Sequence, residues 1–381
     1  MSMNNGTYFP PASLDELIEK FPTPSVAKTV RLIDYLDEGV PGPEHFTIGE
    51  GPVPTLTLDG DGDILIQVVA MSADPYLRVG IKPGGGKNPG DAMNGFVSGF
   101  VLASNSEKWI PGDFVGAATD FTNIQVLTKA AQAKTMIWKL TGFLDAEHLS
   151  YGVGILGMPG STAYGGLIDV LKPNKGETLF VSAACGAVGG LVGQIAKTQY
   201  NCNVVGSCGG DEKGAIILDK FKFDHHVDYK KCDDEAALAA ALKAAAPDGI
   251  DMYFENVGGM HFEVAMSALR PKGRIAVCGC IANYNNSSAN ADGQQTSPGG
   301  AVFNRINIGA MIYSAQRIEG FVCMPWLTGQ KGNFLSDMAK WLHEGAFAVP
   351  EETHFQGIEN WAAGFQSLFT GANKGKVVIM V

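Results

Sequence analysis

The sequence predicts an α/β protein that combines a doubly wound parallel sheet with a second, β-rich domain. Three observations lead to this prediction. Apolar runs alternate with helical stretches in the second half of the chain, short β-like runs alternate with Pro/Gly turns before residue 150, and a glycine-rich loop joins a strand-like run to a helix-like run. A chain of 381 residues is long enough for two such domains.

The β-rich domain is predicted from the first part of the chain and from its end. The strand-like runs of the first part include Ile64–Met71, Gly95–Leu102 and Phe114–Ala118. The tail has the helical runs Phe334–Glu344 and Ile358–Phe369 and the final strand Lys376–Val381, which we expect to pack back on the first part. We therefore predict a substrate domain at 1–150 that includes 335–381, and a nucleotide-binding domain at 151–334. The cleft between two such domains is the usual place for an active site.

The parallel sheet is predicted from six apolar runs after residue 150. The runs are Thr178–Ser182, Asn203–Ser207, His226–Tyr229, Asp251–Asn256, Arg274–Cys280 and Glu319–Val322. Helical stretches lie between most of them, at Ala187–Thr198, Glu212–Phe221, Glu235–Ala245 and Met260–Leu269. Strand, helix, strand at this spacing is the βαβ unit, and six strands match the two halves of a Rossmann dinucleotide-binding fold.

Composition and charge exclude several other classes of protein. The net charge of −11 argues against binding to nucleic acid or to an acidic membrane surface. The seven cysteines are odd in number and begin only at Cys185, which indicates a reducing compartment rather than a disulfide framework. The N-terminal segment lacks the features of a signal or transit peptide, and no apolar run approaches the roughly 20 residues that span a bilayer. A cytoplasmic location is expected.

The glycine-rich loop reads VSAACGAVGGLVG and departs from the dinucleotide fingerprint at one position. Ala184 stands where the first glycine is expected, which is tolerable if its φ is negative. Gly186 allows the backbone to approach a pyrophosphate, and Gly189 allows the helix to pack closely on the strand. The N–H groups that open the helix, around Ala187 and Val188, would then face the phosphates. The alternative is a glycine-rich packing turn without a ligand.

The end of the second strand favours NADP over NAD. NAD sites usually carry an acidic residue there, which bonds the ribose 2′-hydroxyl, but this chain has Gly206 to Gly210 with Ser207 and no acid. Lys213 follows and can meet the charge of a 2′-phosphate, and Tyr229 can flank the adenosine. The alternative for Lys213 is a lysine on a helix surface, beside Asp211 and Glu212.

The sequence offers no zinc site. The first domain has no cysteine, and before residue 150 its histidines are His45 and His148. Structural zinc needs clustered cysteines, and catalytic zinc needs Cys, His or carboxylate ligands together. Cys278 and Cys280 flank Gly279 at a strand end without further ligands, and we interpret them as buried core thiols. No metal is expected.

Several motifs, in order along the chain, resemble one known family. They are MSADPYLR (71–78), GMPGSTAY (157–164), AACGAVGGLVGQIAK (183–197), VVGSCGGDEK (204–213), YFENVGG (253–259), GRIAVCGCIANYN (273–285), EGF (319–321) and ANKGK (372–376). The chain resembles the zinc-independent medium-chain dehydrogenase/reductases that include the prostaglandin reductases and the plant alkenal double-bond reductases. The resemblance runs from about residue 25 to the end. It implies that the first domain is GroES-like and that the protein is a homodimer, and it leaves residues 1–24 without a role.

The resemblance also implies roles for individual residues. Lys213 falls on the family's 2′-phosphate lysine, the loop Asn256–Gly259 lies near the nicotinamide, Tyr284 falls on the tyrosine implicated in substrate handling, and Tyr76 lines the substrate side. The complete set that we expect to bind the cofactor is Ala184, Gly186, Ala187, Val188, Gly189, Ser207, Lys213, Tyr229, Asn256, Val257, Gly258, Cys278, Gly279, Tyr284, Phe321 and Asn373. Tyr313, Phe321 and Trp326 are candidate walls of an apolar pocket, with core packing as the alternative. The polar segment Asn283–Gly300 is a predicted loop, either a lid or a solvated linker.

The expected activity is NADPH-dependent reduction of the carbon–carbon double bond of α,β-unsaturated ketones and aldehydes. Hydride goes to the β-carbon, and Tyr284 is the predicted catalytic donor that stabilises the enolate. Two alternatives stay open. One is an NADPH-dependent quinone or alcohol/ketone oxidoreductase on the same scaffold, and the other is a catalytically idle NADPH-binding protein.

Overall fold

The computed structural model describes residues 8–57, 60–288, 306–350 and 352–381. The strands are β1 (Ala27–Leu32), β2 (Phe46–Gly51), β3 (Ile64–Ala73), β4 (Asn94–Ser104), β5 (Phe114–Asp120), β6 (Ile124–Leu127), β7 (Ile137–Lys139), β8 (Thr178–Ser182), β9 (Asn203–Cys208), β10 (His225–Asp228), β11 (Ile250–Glu255), β12 (Leu269–Val277), β13 (Arg317–Gly320), β14 (Glu352–Gln356) and β15 (Lys376–Met380). The helices are α1 (Leu14–Lys20), α2 (Leu77–Gly80), α3 (Lys129–Gln132), α4 (Met158–Gly165), α5 (Gly189–Tyr200), α6 (Asp211–Ala215), α7 (Glu235–Ala245), α8 (Met260–Ala268), α9 (Ile308–Ser314), α10 (Met324–Leu327), α11 (Phe334–His343) and α12 (Trp361–Thr370).

These elements form two compact units. Unit 1 comprises residues 1–158, 327–343 and 352–381, and unit 2 comprises 159–326 and 344–351. The domain boundaries that we expected from the sequence, 1–150 with 335–381 and 151–334, stay a prediction. None of the helices in the described part of the chain is long and apolar enough to cross a membrane.

Unit 2 contains a six-stranded sheet in which all neighbouring strands run parallel. Its order is β10-β9-β8-β11-β12-β13, so the chain starts in the centre, moves to one edge, and then returns to fill the other side. This is the doubly wound order, and it confirms the predicted Rossmann sheet. Strand β8, in the centre of the sheet, is buried along its whole length, as expected for a strand of a parallel sheet that is covered on both faces. Phe180 and Tyr253 stack at 5.1 Å between ring centroids within the core.

Unit 1 contains the β-rich part of the chain. One sheet has the order β14-β15-β3-β4-β5-β7, with β6 also paired to β3, and β1 and β2 form a second antiparallel pair. Strand β15, at the end of the chain, pairs antiparallel with β3 through Val377 and Ala73. All ten residues of β3 are buried, and Trp361 and Phe365 of α12 stack at 5.1 Å in the same core.

Part of the N-terminal segment, for which the sequence offered no role, forms the helix α1. Ser13 and Glu16 form a capping box at the start of α1, and Leu17 is completely buried. The Gln67 side chain of β3 donates to the backbone carbonyls of Phe21 and Pro22 at 2.8 and 3.2 Å. The end of α1 and the residues that follow it therefore pack on β3 within unit 1.

Several element boundaries differ from those expected. The predicted helix Glu212–Phe221 is α-helical only to Ala215 and continues as a π-helical turn, in which the Phe221 N–H bonds the Ile216 carbonyl. The strand predicted at Arg274–Cys280 ends at Val277, because the N–H groups of Cys278 and Gly279 turn towards the Glu255 carbonyl. The sixth strand of the parallel sheet, β13, is Arg317–Gly320 rather than the predicted Glu319–Val322.

Candidate active site

The glycine-rich loop begins where β8 ends at Ser182. Ala183 adopts a positive φ of 50°, whereas Ala184 keeps a negative φ, and the Ala184 N–H donates to the Ser207 carbonyl of β9 at 2.9 Å. The left-handed residue of the turn is thus one position earlier than the fingerprint glycine. This explains why an alanine is tolerated at 184.

Gly189 opens helix α5 at a point of close contact with the loop. A Cβ atom on Gly189 would lie 2.5 Å from the Ala183 carbonyl oxygen and 3.0 Å from the Ala184 Cα. A Cβ on Gly186 would meet the same carbonyl oxygen at 3.1 Å. The helix begins at Gly189 rather than at the predicted Ala187. The N–H groups of Gly190 and Leu191 donate to the carbonyls of Gly186 and Val188 at 3.0 and 3.1 Å. The N-terminus of the helix carries a partial positive charge, which favours binding of a phosphate.

The end of β9 carries no acidic side chain, as the sequence indicated. Ser207 is completely buried, and its hydroxyl pairs with the Nε2 atom of His261 at 2.9 Å. Its side chain therefore faces the interior of the unit. Lys213 lies half-buried on α6, near the Cys208 thiol.

The Tyr229 ring lies just beyond β10 and is partly exposed. Its edge packs on the His261 ring, with 5.6 Å between centroids and 73° between planes. Burial lowers the pKa of His261 to about 4, so its imidazole is neutral at physiological pH. The sequence reasoning missed His261, because it lies 54 residues from Ser207 and meets it only through the fold.

The loop after β11 is tied to the end of β8. The Asn256 amide side chain donates to the Ser182 carbonyl at 2.8 Å, and the Asn256 N–H donates to the Ser182 hydroxyl at 3.0 Å. The loop also holds the next segment, since the N–H groups of Ile281 and Ala282 donate to the carbonyls of Asn256 and Val257, both at 3.1 Å. The predicted residues Asn256, Val257, Gly258, Cys278, Gly279 and Tyr284 thus lie in one network of loops.

The Tyr284 hydroxyl lies against the backbone of Gly279 and Cys280 in this network. The Cys280 N–H donates to the Tyr284 hydroxyl oxygen at 3.4 Å, and a Cβ on Gly279 would lie 3.2 Å from that oxygen. Burial, followed by the nearby Cys280, raises the pKa of Tyr284 well above its ordinary value. The phenol is therefore protonated at neutral pH and has a proton to donate.

The two thiols near this loop, Cys278 and Cys280, have raised pKa values, which favour the protonated form. Burial raises the pKa of the Cys278 thiol to about 12 and also raises the pKa of Cys280. Both residues follow β12 and are partly buried, so the interpretation as buried core thiols holds in part. Within the described ranges, no three His, Cys, Asp or Glu side chains are placed to hold a metal.

Other predicted residues lie elsewhere. In unit 1, Tyr76 precedes α2, is 41% exposed and packs edge-on against Phe96 at 6.4 Å, and the side chain of Asn373 donates to the Gly375 carbonyl at 3.0 Å. In unit 2, Phe321 packs edge-on between Phe254 and Trp326 at 6.0 and 6.1 Å. Tyr313 is 93% exposed, so the core interpretation of this residue is wrong, whereas its place in a pocket wall stays a prediction. In the predicted loop Asn283–Gly300, residues 289–300 lie outside the described part of the chain.

Comparison with known proteins identifies the class to which this fold and site belong. The sequence model of the family described as zinc-binding dehydrogenase matches residues 187–323, and that of the N-terminal domain of oxidoreductase matches residues 28–135. The chain belongs to the medium-chain dehydrogenase/reductase family, as the resemblance predicted. Although one description names zinc, the described residues do not fit a zinc site.

Individual relatives are similar over most of their length. Prostaglandin reductase 1 of Bos taurus is 36% identical over 341 residues, which cover 90% of this chain and 95% of that protein. The NADP(+)-dependent 2-alkenal reductase of Nicotiana tabacum is 36% identical over 360 residues, covering 93% and 97%. The crystal structure of CurA from Vibrio vulnificus in complex with NADPH has a TM-score of 0.78 at 32% identity, and covers 93% of this chain and 99% of that chain.

Proposed function

We propose that the protein is an NADPH-dependent ene-reductase that reduces the carbon–carbon double bond of α,β-unsaturated ketones and aldehydes. The observation that carries the proposal is the position of the Tyr284 hydroxyl, which lies against the Cys280 N–H and Gly279 in the network of loops that includes 256–258. The names of relatives support it, since one is a 2-alkenal reductase and another is a prostaglandin reductase. We further propose that the protein is a cytoplasmic homodimer, as the cysteine content and the resemblance indicate.

The residues of unit 2 fit the proposed cofactor. Gly186 allows the backbone to approach a pyrophosphate, and Gly189 allows α5 to pack closely on the turn, since a Cβ there would lie 2.5 Å from the Ala183 carbonyl oxygen. Ser207 and the absence of an acid at the end of β9 leave room for a 2′-phosphate, which Lys213 would meet. Tyr229 presents a partly exposed ring for the adenosine. The loop residues Asn256, Val257 and Gly258 would hold the nicotinamide.

Bound NADPH supplies the hydride that is added to the β-carbon of the substrate. Negative charge then develops on the carbonyl oxygen of the substrate, and a neutral donor aimed at that oxygen stabilises the transition state. The Tyr284 hydroxyl accepts from the Cys280 N–H and also bonds the Cys280 side chain, so its proton would turn from that thiol to the oxygen of the bound substrate. Because burial keeps this phenol protonated, Tyr284 acts as a hydrogen-bond donor throughout the neutral range.

A substrate panel tests the proposed function. NADPH oxidation is followed at 340 nm with an enone, an enal, a quinone and a saturated ketone as separate substrates. The proposal expects turnover of the enone and the enal, with the saturated product identified by mass spectrometry. Turnover of the quinone or the ketone alone would favour the oxidoreductase alternatives. Tight NADPH binding with no turnover across the panel would favour the idle binding protein.

The role of Tyr284 is tested by its phenylalanine variant. Tyr284→Phe removes only the hydroxyl, and we expect kcat for the enone to fall roughly 100-fold, as for other oxyanion donors. Tyr200→Phe is the matched control, because Tyr200 is a tyrosine of the same unit that lies at the end of α5 away from the glycine-rich loop. An unchanged kcat in Tyr284→Phe would assign the donor role to another group.

A further inference from the structure

Glu255 is a buried acid at the end of β11 that the mechanism above does not use. It is 1% exposed, and its Oε1 atom accepts from the N–H groups of Val257 and Gly258 at 2.5 and 2.9 Å. Gly258 has a positive φ of 81°. The Glu255 carboxyl group therefore accepts the N–H groups of the tight turn that follows it in the chain. This turn is the loop 256–258.

Ser182 connects this carboxyl to the glycine-rich loop. Its hydroxyl lies 3.2 Å from Glu255 Oε1 and receives hydrogen bonds from the Tyr253 hydroxyl and the Asn256 N–H, both at 3.0 Å. Ser182 is the last residue of β8, and Ala183 begins the phosphate cradle. Glu255 and Ser182 together hold the two loops in one geometry.

Burying a carboxyl group in a protein core costs desolvation free energy. Burial raises the pKa of Glu255, and the hydrogen bonds from Gly258 and Val257 oppose this shift. Its second oxygen, Oε2, is buried and has no hydrogen-bond partner in the part of the chain that the structure describes. An apolar residue of similar size would fill this space without the cost of burying a carboxyl group. The role of the Glu255 acceptor is therefore to hold the loop 256–258, not to stabilise the core.

We propose that Glu255 is a positioning residue, which holds the loop 256–258 in the conformation that receives the nicotinamide end of NADPH. The proposal rests on the proposed cofactor site. If Glu255 served stability alone, its loss would weaken the binding of every ligand at this site to the same extent. Loss of the acceptor affects ligands that carry a nicotinamide, while the adenosine end of the site, at Lys213 and Tyr229, stays intact.

The test compares NADPH with adenosine 2′,5′-bisphosphate, which has the 2′-phosphate but no nicotinamide. Dissociation constants are measured by calorimetry for the wild type, Glu255→Ala, Glu255→Gln and Ser182→Ala. For Glu255→Ala we expect NADPH to bind about tenfold more weakly, which corresponds to the loss of about one charged hydrogen bond, and the bisphosphate to bind as before. Glu255→Gln retains an oxygen acceptor and should rescue NADPH binding.

Hydrogen exchange gives a second readout that needs no ligand. The amides of Val257 and Gly258 should exchange faster in Glu255→Ala than in Glu255→Gln, because only the latter keeps their acceptor. If Glu255→Ala does not fold, Ser182→Ala should show the same selectivity in smaller degree. Glu177→Ala is the matched control, since Glu177 is a partly buried acid that pairs with Arg274 near the opposite end of β8. It should lower thermal stability without changing either dissociation constant.

Three outcomes would overturn the proposal. Equal weakening of both ligands in Glu255→Ala would show a general structural role. A Glu255→Gln variant that is folded but as weak for NADPH as Glu255→Ala would remove the acceptor argument. A wild type that binds no NADPH would overturn both this proposal and the cofactor site. A wild type that binds NADPH but reduces no enone would overturn only the proposed reaction. The ratio of the dissociation constants for NADPH and the bisphosphate would still test the role of Glu255.

Discussion

Single buried polar residues are concentrated at the carboxyl ends of the central strands of unit 2. Ser182, Ser207 and Glu255 end or nearly end β8, β9 and β11, and all three are essentially inaccessible to solvent. Ligands of open α/β sheets bind beyond these same strand ends. Ser182 and Glu255 bond the loop 256–258, and Ser207 bonds His261, whose ring packs on Tyr229, so these buried groups support residues that the proposed cofactor would contact.

Lys213 is the residue on which cofactor preference should depend. Replacing it by alanine removes the cation proposed to meet the 2′-phosphate, and we expect the KM for NADPH to rise about 10- to 100-fold with that for NADH nearly unchanged. Steady-state kinetics with both cofactors measure this. Lys243→Ala, an exposed lysine of α7, is the control. Equal losses with NADPH and NADH would remove Lys213 from the phosphate site.

His261 should make stability depend on pH. Its pKa in the folded state is about 4, below its ordinary value of 6.5, so the unfolded chain binds more protons between these values. Stability is therefore retained above pH 6.5 and falls as the pH drops towards 4, by about 3 kcal/mol from this group. Thermal unfolding of His261→Gln should show a shallower dependence than the wild type, whereas the exposed His225→Gln should not. Parallel curves for His261→Gln and the wild type would contradict the assignment.

At the scale of elements, α1 shows how a segment outside the family pattern can be part of the fold. The helix is short, and isolated helices of this length are unstable in water, so its order comes from packing. The contacts of Gln67 with Phe21 and Pro22 attach its end to β3. The ring of Phe21 also lies 6.3 Å from that of Phe100 on β4.

Truncating the buried side chain of α1 should destabilise unit 1. We expect Leu17→Ala to lower the free energy of unfolding by about 2–5 kcal/mol, the usual range for a buried leucine. Urea unfolding followed by tryptophan fluorescence is informative, because Trp109, Trp138, Trp341 and Trp361 all lie in unit 1. Glu19→Ala on the exposed side of α1 is the control. A change below about 0.5 kcal/mol in Leu17→Ala would mean that α1 is dispensable for the fold.

At the scale of the whole molecule, large apolar side chains are exposed near one edge of the parallel sheet in unit 2. Strand β13 lies at one edge, and the neighbouring α9 exposes Ile308, Ile312 and Tyr313. Val322, just after β13, is also exposed. Several large apolar side chains beside an open strand edge are typical of a protein–protein interface.

We expect a second copy of this chain to cover that face. Sedimentation velocity at micromolar concentration should show a dimer for the wild type and a monomer for the double variant Ile312→Glu/Tyr313→Glu, because charge is costly at a buried interface. Ile110→Glu places the same charge on an exposed isoleucine of unit 1 and should stay dimeric. A monomeric wild type, or a double variant that remains dimeric, would contradict this expectation.

The sequence by itself determined the architecture of unit 2 and the place of its glycine-rich loop. Alternating apolar and amphipathic runs are local signals, and β8 and α7 begin and end where those signals placed them. The acid-free end of β9 and the adjacent Lys213 were also visible, because the fingerprint and its flanking residues are close together in the chain.

Only the tertiary structure decided how buried polar groups pair. Ser182 meets Glu255 across 73 residues and Ser207 meets His261 across 54, and no local pattern carries information about such pairs. The same holds for the left-handed φ of Ala183, the packing of α1 on β3 and the exposure of Tyr313. Local periodicity selects helices and strands, whereas burial and hydrogen bonding depend on which distant segments the folded chain brings into contact.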